Sequence, residues 1–384
     1  MTPPSAIFVT TVPITLEAFL TPFAQSLRSK GWRVDALANG ATENEHIATS
    51  FDHCYDVAWS RNPLDPRNLL TSASTVREIV EAGSYDIVHV HTPVAAFVTR
   101  WALRALPRAT RPIVIYTAHG FHFYGGQRPL PHAVFRTFER LAARWTDYLV
   151  TINAEDEMAA KRLGGISPNR VRRIPGIGVD VDRFAPGVVA AADAATARSE
   201  LSLSDTDFML TMIAEFSPVK RHDHVLQAIS RVRDERIVLV LVGDGPLEAQ
   251  VRDRVAALGL TKRVRFAGYR RDIAAVLAAS DALVLVSERE GLNRSALEAM
   301  ASSRPVIGTD TRGIADAVDN RSGWIVAKND VTALAAAIEA AAGDPTECAR
   351  RGHAARERVL REFALPRIIA EYEELYREAL ASRV

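Results

Sequence analysis

Ile237-Val-Leu-Val-Leu-Val-Gly-Asp-Gly245 is an unbroken apolar run that ends on a glycine turn, and a helical pattern follows over 246–257. A strand without polar alternation is covered on both faces, as strands of a parallel sheet are. The same unit recurs on either side. In the second half, strands are expected at 208–213, 264–266, 282–286, 305–307 and 324–326. Helices are expected near 220–232, 270–278, 294–302, 312–318 and 331–342. In the first half, strands are expected at 7–9, 33–37, 86–91, 113–117, 148–152 and 171–174. Helices fall between them at about 16–30, 75–82, 94–106, 132–145 and 155–163, the first closed by Gly31. Strand–helix alternation of this kind predicts doubly wound α/β domains.

The rhythm pauses once. Phe184 to Ser199 is Ala-rich without a strong period and reads as a linker plus the approach to the second domain. Two Rossmann-like domains of similar size are therefore expected, 1–184 and 200–365. A C-terminal helix within 366–384 is expected to pack back on the first.

The length of 384 residues suits two such domains. A hydrophobic share of 48% and a charged share of 24% exclude disorder. The 47 basic and 46 acidic residues leave a net charge of +1, too balanced for a dedicated nucleic-acid binder. Only five basic residues are Lys, so 42 are Arg, and no single Arg cluster carries weight on composition alone. Cys54 and Cys348 lie in different halves without metal-type spacing, which reads as a reduced, cytoplasmic setting. No run of 18 apolar residues predicts a membrane span, and Met1–Leu16 lacks the basic start of a secretory signal.

Ligands of open α/β sheets bind beyond the carboxyl ends of the strands. The unusual residues fall there: His119-Gly120, Glu215 to Lys220, Gly243-Asp-Gly245, Gly268-Tyr269, Ser287 to Glu290, and Thr309-Asp310. A cleft between the two domains is the expected ligand site. Glu290-Gly-Leu-Asn-Arg-Ser-Ala-Leu-Glu298 is the strongest signal. Asn293 is placed to cap a helix whose free N–H groups and positive dipole end suit a diphosphate. Glu298 can accept hydrogen bonds from a ribose diol, and Glu290 can face a sugar.

This segment resembles the Glu-x7-Glu motif of retaining family 4 glycosyltransferases, which have the GT-B fold, and the likeness runs along nearly the whole chain. Phe266-Ala-Gly-Tyr-Arg-Arg-Asp272, Ala279-Ser-Asp-Ala-Leu-Val284 and Ile177-Gly-Val-Asp180 match the same family. Tyr116-Thr-Ala-His-Gly-Phe-His-Phe-Tyr124 is similar to the branch that builds capsular polysaccharide, exopolysaccharide or lipid-linked oligosaccharide. The resemblance implies a nucleotide-diphosphate sugar donor, expected to be UDP-linked, and no other cofactor. The acceptor implied is a glycan or a polyprenyl-diphosphate-linked oligosaccharide. His119 would lie beside the reacting sugar and Glu290 would hold it. Lys220 and Arg221 would meet the diphosphate with Gly243, Gly291, Leu292 and Asn293. Tyr269 would face the nucleobase and Glu298 the ribose. Where much of the family has an Arg ahead of the Lys, this chain has Glu215. Either Arg221 supplies the second charge or Glu215 takes another role, such as meeting the acceptor.

Other features fill out the expectations. Thr10, Thr11 and Thr15, in a first loop without glycines, offer only hydroxyls, and no G-x-G-x-x-G follows strand one, against a nicotinamide dehydrogenase. His89 and His91 read as facing opposite sides of their strand, both structural, with His91 nearer the cleft. His122 lies near His119, but no carboxylate or Cys joins them, so no metal is expected there. Asp180-Val-Asp182 and Asp205-Thr-Asp207 sit at a domain junction and before a strand, unlike a metal site, and metal independence is expected. Residues 100–144 hold Arg100, Arg104, Arg108, Arg111, Arg128, Arg136, Arg140 and Arg144, with one acid, Glu139. They read either as a solvated face or as a peripheral contact with anionic lipid at the inner face of the cell membrane. A UDP-sugar epimerase and a non-catalytic nucleotide-sugar or glycan-binding scaffold are the alternatives to a transferase. Acceptor-free conversion of a UDP-sugar would mark the first, and donor binding without turnover the second.

Overall fold

The computed structural model describes residues 3–60, 65–107, 109–125 and 127–382. Contacts divide the chain into two units, Met1–Ile177 with Pro366–Val384, and Gly178–Leu365. The first unit begins with β1 (Ser5–Val9), α1 (Pro13–Thr15), a π-helical turn (Leu16–Leu20), α2 (Thr21–Ser29) and β2 (Arg33–Ala38). It continues with α3 (Glu45–Ser50), β3 (Cys54–Asp56), α4 (Thr71–Gly83), β4 (Ile87–Val90) and α5 (Pro93–Leu103). Next come β5 (Ile113–Ala118), α6 (Pro129–Ala143), β6 (Tyr148–Thr151), α7 (Ala154–Lys161) and β7 (Val171–Arg173). The seven strands lie in the order β3-β2-β1-β4-β5-β6-β7, all pairs parallel. Every residue of β1, β4, β5 and β6 is buried, which is why each reads as a continuous apolar run.

The second unit carries α8 (Ala191–Glu200), β8 (Phe208–Ile213), α9 (His222–Ile229), β9 (Ile237–Val242) and α10 (Glu248–Ala257). It goes on through β10 (Val264–Gly268), α11 (Ile273–Ala279), β11 (Ala282–Leu285), α12 (Arg294–Ala301) and β12 (Val306–Thr309). It closes with α13 (Ile314–Ala317), β13 (Gly323–Val326), α14 (Val331–Gly343) and α15 (Pro345–Glu362). Its six strands run β10-β9-β8-β11-β12-β13, again all parallel. Two doubly wound α/β units are thus present, as the alternation predicts. The last helix, α16 (Leu365–Ala381), packs on the first unit. Tyr372 meets Phe23 edge-on at 5.3 Å, and Glu373 accepts from Ser26 and pairs with Lys30. Among the described residues no helix is long and apolar enough to cross a membrane.

The segment read as a linker and approach to the second domain is structured in its second part. That part is α8, whose Ala197 packs with Leu201 on Met209, Val240 and Val276. Its small residues bury a narrow face, too thin to show a period in the sequence. The residues before it also belong to the second unit. Val179, Val181 and Phe184 join the core formed by Leu283, Leu297 and Met300. Val179 N–H donates to Phe363 O at 2.9 Å, and Leu365 N–H donates back to Val179 O at 2.9 Å. The division of the contacts therefore falls after Ile177 rather than after Phe184.

Candidate active site

The second unit gathers most of the candidate residues at the carboxyl ends of its strands. The turn after β9 needs glycine twice. Gly243 has φ +138°, and a Cβ there would lie 2.3 Å from Ala214 O. Gly245 has φ +150°, and its Cβ would lie 2.6 Å from Phe216 N. This close approach is sealed by Phe216 N–H donating to Asp244 O at 2.8 Å and Leu247 N–H donating to Phe216 O at 3.0 Å. The Phe216 ring stacks on His222 at 4.6 Å. Burial, helped by Lys220, pushes the His222 imidazole down to about 4, so it is neutral at pH 7.

The loops after β8 and β11 are laced together. Glu288 N–H donates to Val219 O at 2.7 Å. Lys220 Nζ lies 2.6 Å from Glu290 Oε1, with both side chains mostly buried. Arg221, a non-glycine at φ +57°, places its Nη1 3.1 Å from Glu288 Oε2. Lys328 Nζ holds the other Glu288 oxygen at 2.6 Å, and that hydrogen bond keeps the carboxyl below its ordinary range. Arg312 Nε donates to the Glu290 carbonyl at 3.1 Å. Gly313, at φ +81°, leaves no room for a Cβ, which would sit 2.4 Å from Gly291 O. The Glu290-Gly291 turn is therefore braced from below by 312–313.

The approach to α12 follows at once. Asn293 is spent as its cap: Oδ1 accepts from Ala296 N–H at 2.9 Å, and the residue is buried. This is the capping role its position implies, and it sets the N-terminus of α12 beside the Glu290-Gly291 turn. Leu292 is half-buried against the core. Glu298 is 7% exposed, and burial raises its carboxyl above the ordinary value against the pull of Arg294 and Arg183. Arg294 Nε donates to it at 2.7 Å. Tyr269 stands 69% exposed after β10, and Glu215 is exposed after β8.

In the first unit, His119 lies beyond β5 and its Nε2 is 3.0 Å from His91 Nδ1. The reading of His89 and His91 as facing opposite ways is corrected here. Residues two apart in a strand share a face, and the two rings are 4.1 Å apart. Burial pushes His89 down to about 3 and His119 to about 4, and lowers His91 as well. His122 is exposed, its ring 5.4 Å from Phe135. In the first loop Thr10 Oγ1 donates to Val12 O at 2.9 Å, Thr11 is tied to Thr92 at 2.8 Å, and Thr15 is buried. Asp180 and Asp207 accept from backbone N–H groups of their own turns.

The Arg-rich segment does not form one face. Arg100 is fully buried, over the Tyr116 ring at 4.1 Å and paired with Glu139. Arg111 pairs with Asp147, and Arg108 lies outside the described residues. Arg104, Arg128, Arg136, Arg140 and Arg144 are exposed. Exposed Leu130, Val134 and Phe138 run four apart along α6.

His91, Glu288, Lys328, Arg312 and Gly313 were not singled out from sequence as site residues. The period of two in β4 was signal enough for His91. Glu288 sat inside the strand-end stretch, but its two cationic partners come from distant loops.

Comparisons with known proteins meet this geometry. The model for "Glycosyltransferase Family 4" matches residues 16–183, and that for "Glycosyl transferases group 1" matches 193–358. EpsD of Bacillus subtilis (strain 168), named for glycosyl transfer, is 32% identical over 96% of this chain and 95% of its own. A UDP-Gal:alpha-D-GlcNAc-diphosphoundecaprenol alpha-1,3-galactosyltransferase of Escherichia coli is 30% identical over 70% of this chain and 69% of its own. The structure of Anabaena HepE in complex with UDP and glucose aligns with TM-score 0.82 at 19% identity, over 98% of this chain and 100% of that one. Both halves are matched by glycosyltransferase models and a relative matches nearly end to end, so the chain belongs to glycosyltransferase family 4, with a GT-B fold, and is a glycosyltransferase.

Proposed function

We propose that this glycosyltransferase takes a UDP-linked sugar and passes it, with retention of anomeric configuration, to a hydroxyl of a glycan or polyprenyl-diphosphate-linked oligosaccharide in cell-surface polysaccharide synthesis. The observation that carries the reading is the Lys220–Glu290 pair, 2.6 Å apart, with Glu290 on the loop that runs straight into the α12 N-terminus. A lysine and a carboxylate held together exchange partners when a donor arrives. Lys220 turns to the diphosphate, and Glu290 accepts from sugar hydroxyls. The α12 N–H groups meet the departing phosphate, and Glu298 meets the ribose. His119 serves the reacting edge of the sugar. Arg221, strained at its φ, is the second cation in place of the Arg that Glu215 replaces.

In the reaction, the bond from the anomeric carbon to the phosphate oxygen breaks, and the acceptor oxygen bonds that carbon on the same face. The acceptor proton passes to the departing phosphate oxygen, and UDP leaves. No metal or other cofactor enters this scheme. The Escherichia coli relative's name, with a UDP-sugar donor and a lipid-linked acceptor, supports the reading, as does the UDP bound in the HepE structure. The test is incubation of UDP-sugars with undecaprenyl-diphosphate-linked acceptors. The product should retain the donor's α-configuration by NMR, and Glu290→Ala should abolish it. Inversion of configuration, or unchanged turnover in Glu290→Ala, sinks the assignment.

A lipid-linked acceptor brings the enzyme to a bilayer. The Leu130–Val134–Phe138 stripe on α6, flanked by Arg136, Arg140 and Arg144, is the surface we assign to an anionic membrane. Co-sedimentation with anionic but not zwitterionic vesicles, lost in Leu130→Asp/Phe138→Asp, is the expected result.

A further inference from the structure

The histidine cluster of the first unit, His89 and His91 buried and His119 half-buried, carries an inference that rests on the reading of His119 and goes beyond it. His91 is 1% exposed, and its Nδ1 lies 3.0 Å from His119 Nε2. One nitrogen must donate and the other accept. Its remaining nitrogen, Nε2, is buried without a hydrogen-bond partner. A bare lone pair is tolerated in an interior far better than an orphaned N–H. A proton on His91 Nε2 would be such an orphan. The proton of His91 therefore sits on Nδ1, which donates to His119 Nε2.

The neighbours hold this arrangement in place. His89, 4.1 Å from His91 ring to ring, is fixed by Thr117 Oγ1 at 2.8 Å and by the Tyr376 hydroxyl from α16. Tyr372 closes the group through Thr117 at 3.2 Å. The titratable groups that face His91 are His89, His119, Tyr372 and Tyr376. Burial keeps all of them neutral at pH 7, so no charge competes for the His91 proton.

We propose that His91 is a positioning residue that fixes His119 as its Nδ1–H tautomer, so that His119 meets the donor sugar as a hydrogen-bond donor and not as a base. With Nε2 filled by His91 and Nδ1 already protonated, His119 has no nitrogen free to take the acceptor proton. That proton must leave by the phosphate. The tautomer of a histidine is set by the bond its other nitrogen makes, and a chemical role for His91 follows from that alone.

The test is a long-range ¹H–¹⁵N correlation of histidine side chains in the full-length, ¹⁵N-labelled protein at pH 7, assigned with His91→Asn and His119→Gln. Both His91 and His119 should show the Nδ1–H pattern. A proton on His119 Nε2 overturns the proposal whatever the enzyme's activity. Kinetics gives the second arm. An asparagine places an N–H where Nδ1 stood, and a phenylalanine does not. His91→Phe should lower kcat ~10–100-fold, the range seen when a histidine loses its orienting partner, with KM for the nucleotide sugar nearly unchanged. His91→Asn should recover most of the loss. Equal rates in the two variants would mean a merely structural His91. Full turnover in His119→Gln would instead overturn the reading of the site on which the inference rests, leaving the tautomer result to stand by itself.

Discussion

The two units share a fold and differ in how they build their sites. In the first, the groups around His119 are neutral, buried and hydrogen-bonded to one another: His89, His91, Thr117, Tyr372 and Tyr376. In the second, the groups around Glu290 are charged and paired: Lys220 with Glu290, Arg221 and Lys328 with Glu288, Arg294 with Glu298. Under the proposed function, the contrast follows from what each would meet. A diphosphate carries charge that only cations and N–H dipoles offset, and cations kept close to carboxylates are held in place until it arrives. A sugar edge asks for directed hydrogen bonds, and a desolvated neutral imidazole supplies one of fixed direction.

The comparison can be broken most sharply in the charged site. Lys220→Ala removes the cation and leaves Glu290 unpaired, and turnover should fall by ~10²–10³-fold, as when a transition-state donor is lost. Steady-state rates on a UDP-sugar check this. His119→Ala should cost turnover on the order of 10²-fold while leaving UDP affinity nearly unchanged, because the loss lies in the neutral site. Equal losses of affinity in the two variants would erase the distinction.

Acid tests the neutral cluster of the first unit. His89 and His119 are pushed down to about 3 and about 4, below the ordinary value of 6.5, so the unfolded chain binds protons before the folded one. Their contribution is fully present above about pH 6.5 and is lost as pH falls toward 4. Four of the five tryptophans, Trp32, Trp59, Trp101 and Trp145, lie in the first unit. The urea midpoint followed by tryptophan fluorescence should therefore drop between pH 7 and 4, and a flat profile would contradict the neutral cluster. The smallest effect is expected at Gly245. Gly245→Ala drives a Cβ into the Phe216 backbone, which cannot swing aside, and should cost about 1–3 kcal/mol in denaturant unfolding.

The sequence was most legible where burial was two-sided. β9 and β11 read as strands because no residue in them faces water. β3, a three-residue half-exposed edge, carried no such run. α15 also escaped, because its buried face is made of small residues, Cys348, Gly352 and Ala355, before Val359. At Gly352 a Cβ would lie 2.1 Å from Ser303 O, so the close approach of backbone replaces the apolar stripe that periodicity detects. Within the candidate site, Glu290, Glu298 and Lys220 were legible from motif and position. The ion pairs that hold Glu288 were not, since Lys328 and Arg221 stand 40 and 67 positions from it, in opposite directions along the chain, and meet it only through the fold. His91 was visible in the same run as His89, and its spacing of two already placed it on that histidine's face.

Calorimetric titration of the full-length protein with UDP, GDP, ADP and dTDP, repeated on Lys220→Ala, tests the central claim without needing an acceptor. The account predicts selective UDP binding, weakened ~10–100-fold by the substitution, as loss of a charge-assisted contact should do. UDP binding of the same strength in Lys220→Ala, or no binding of any of the four nucleotides, would contradict it.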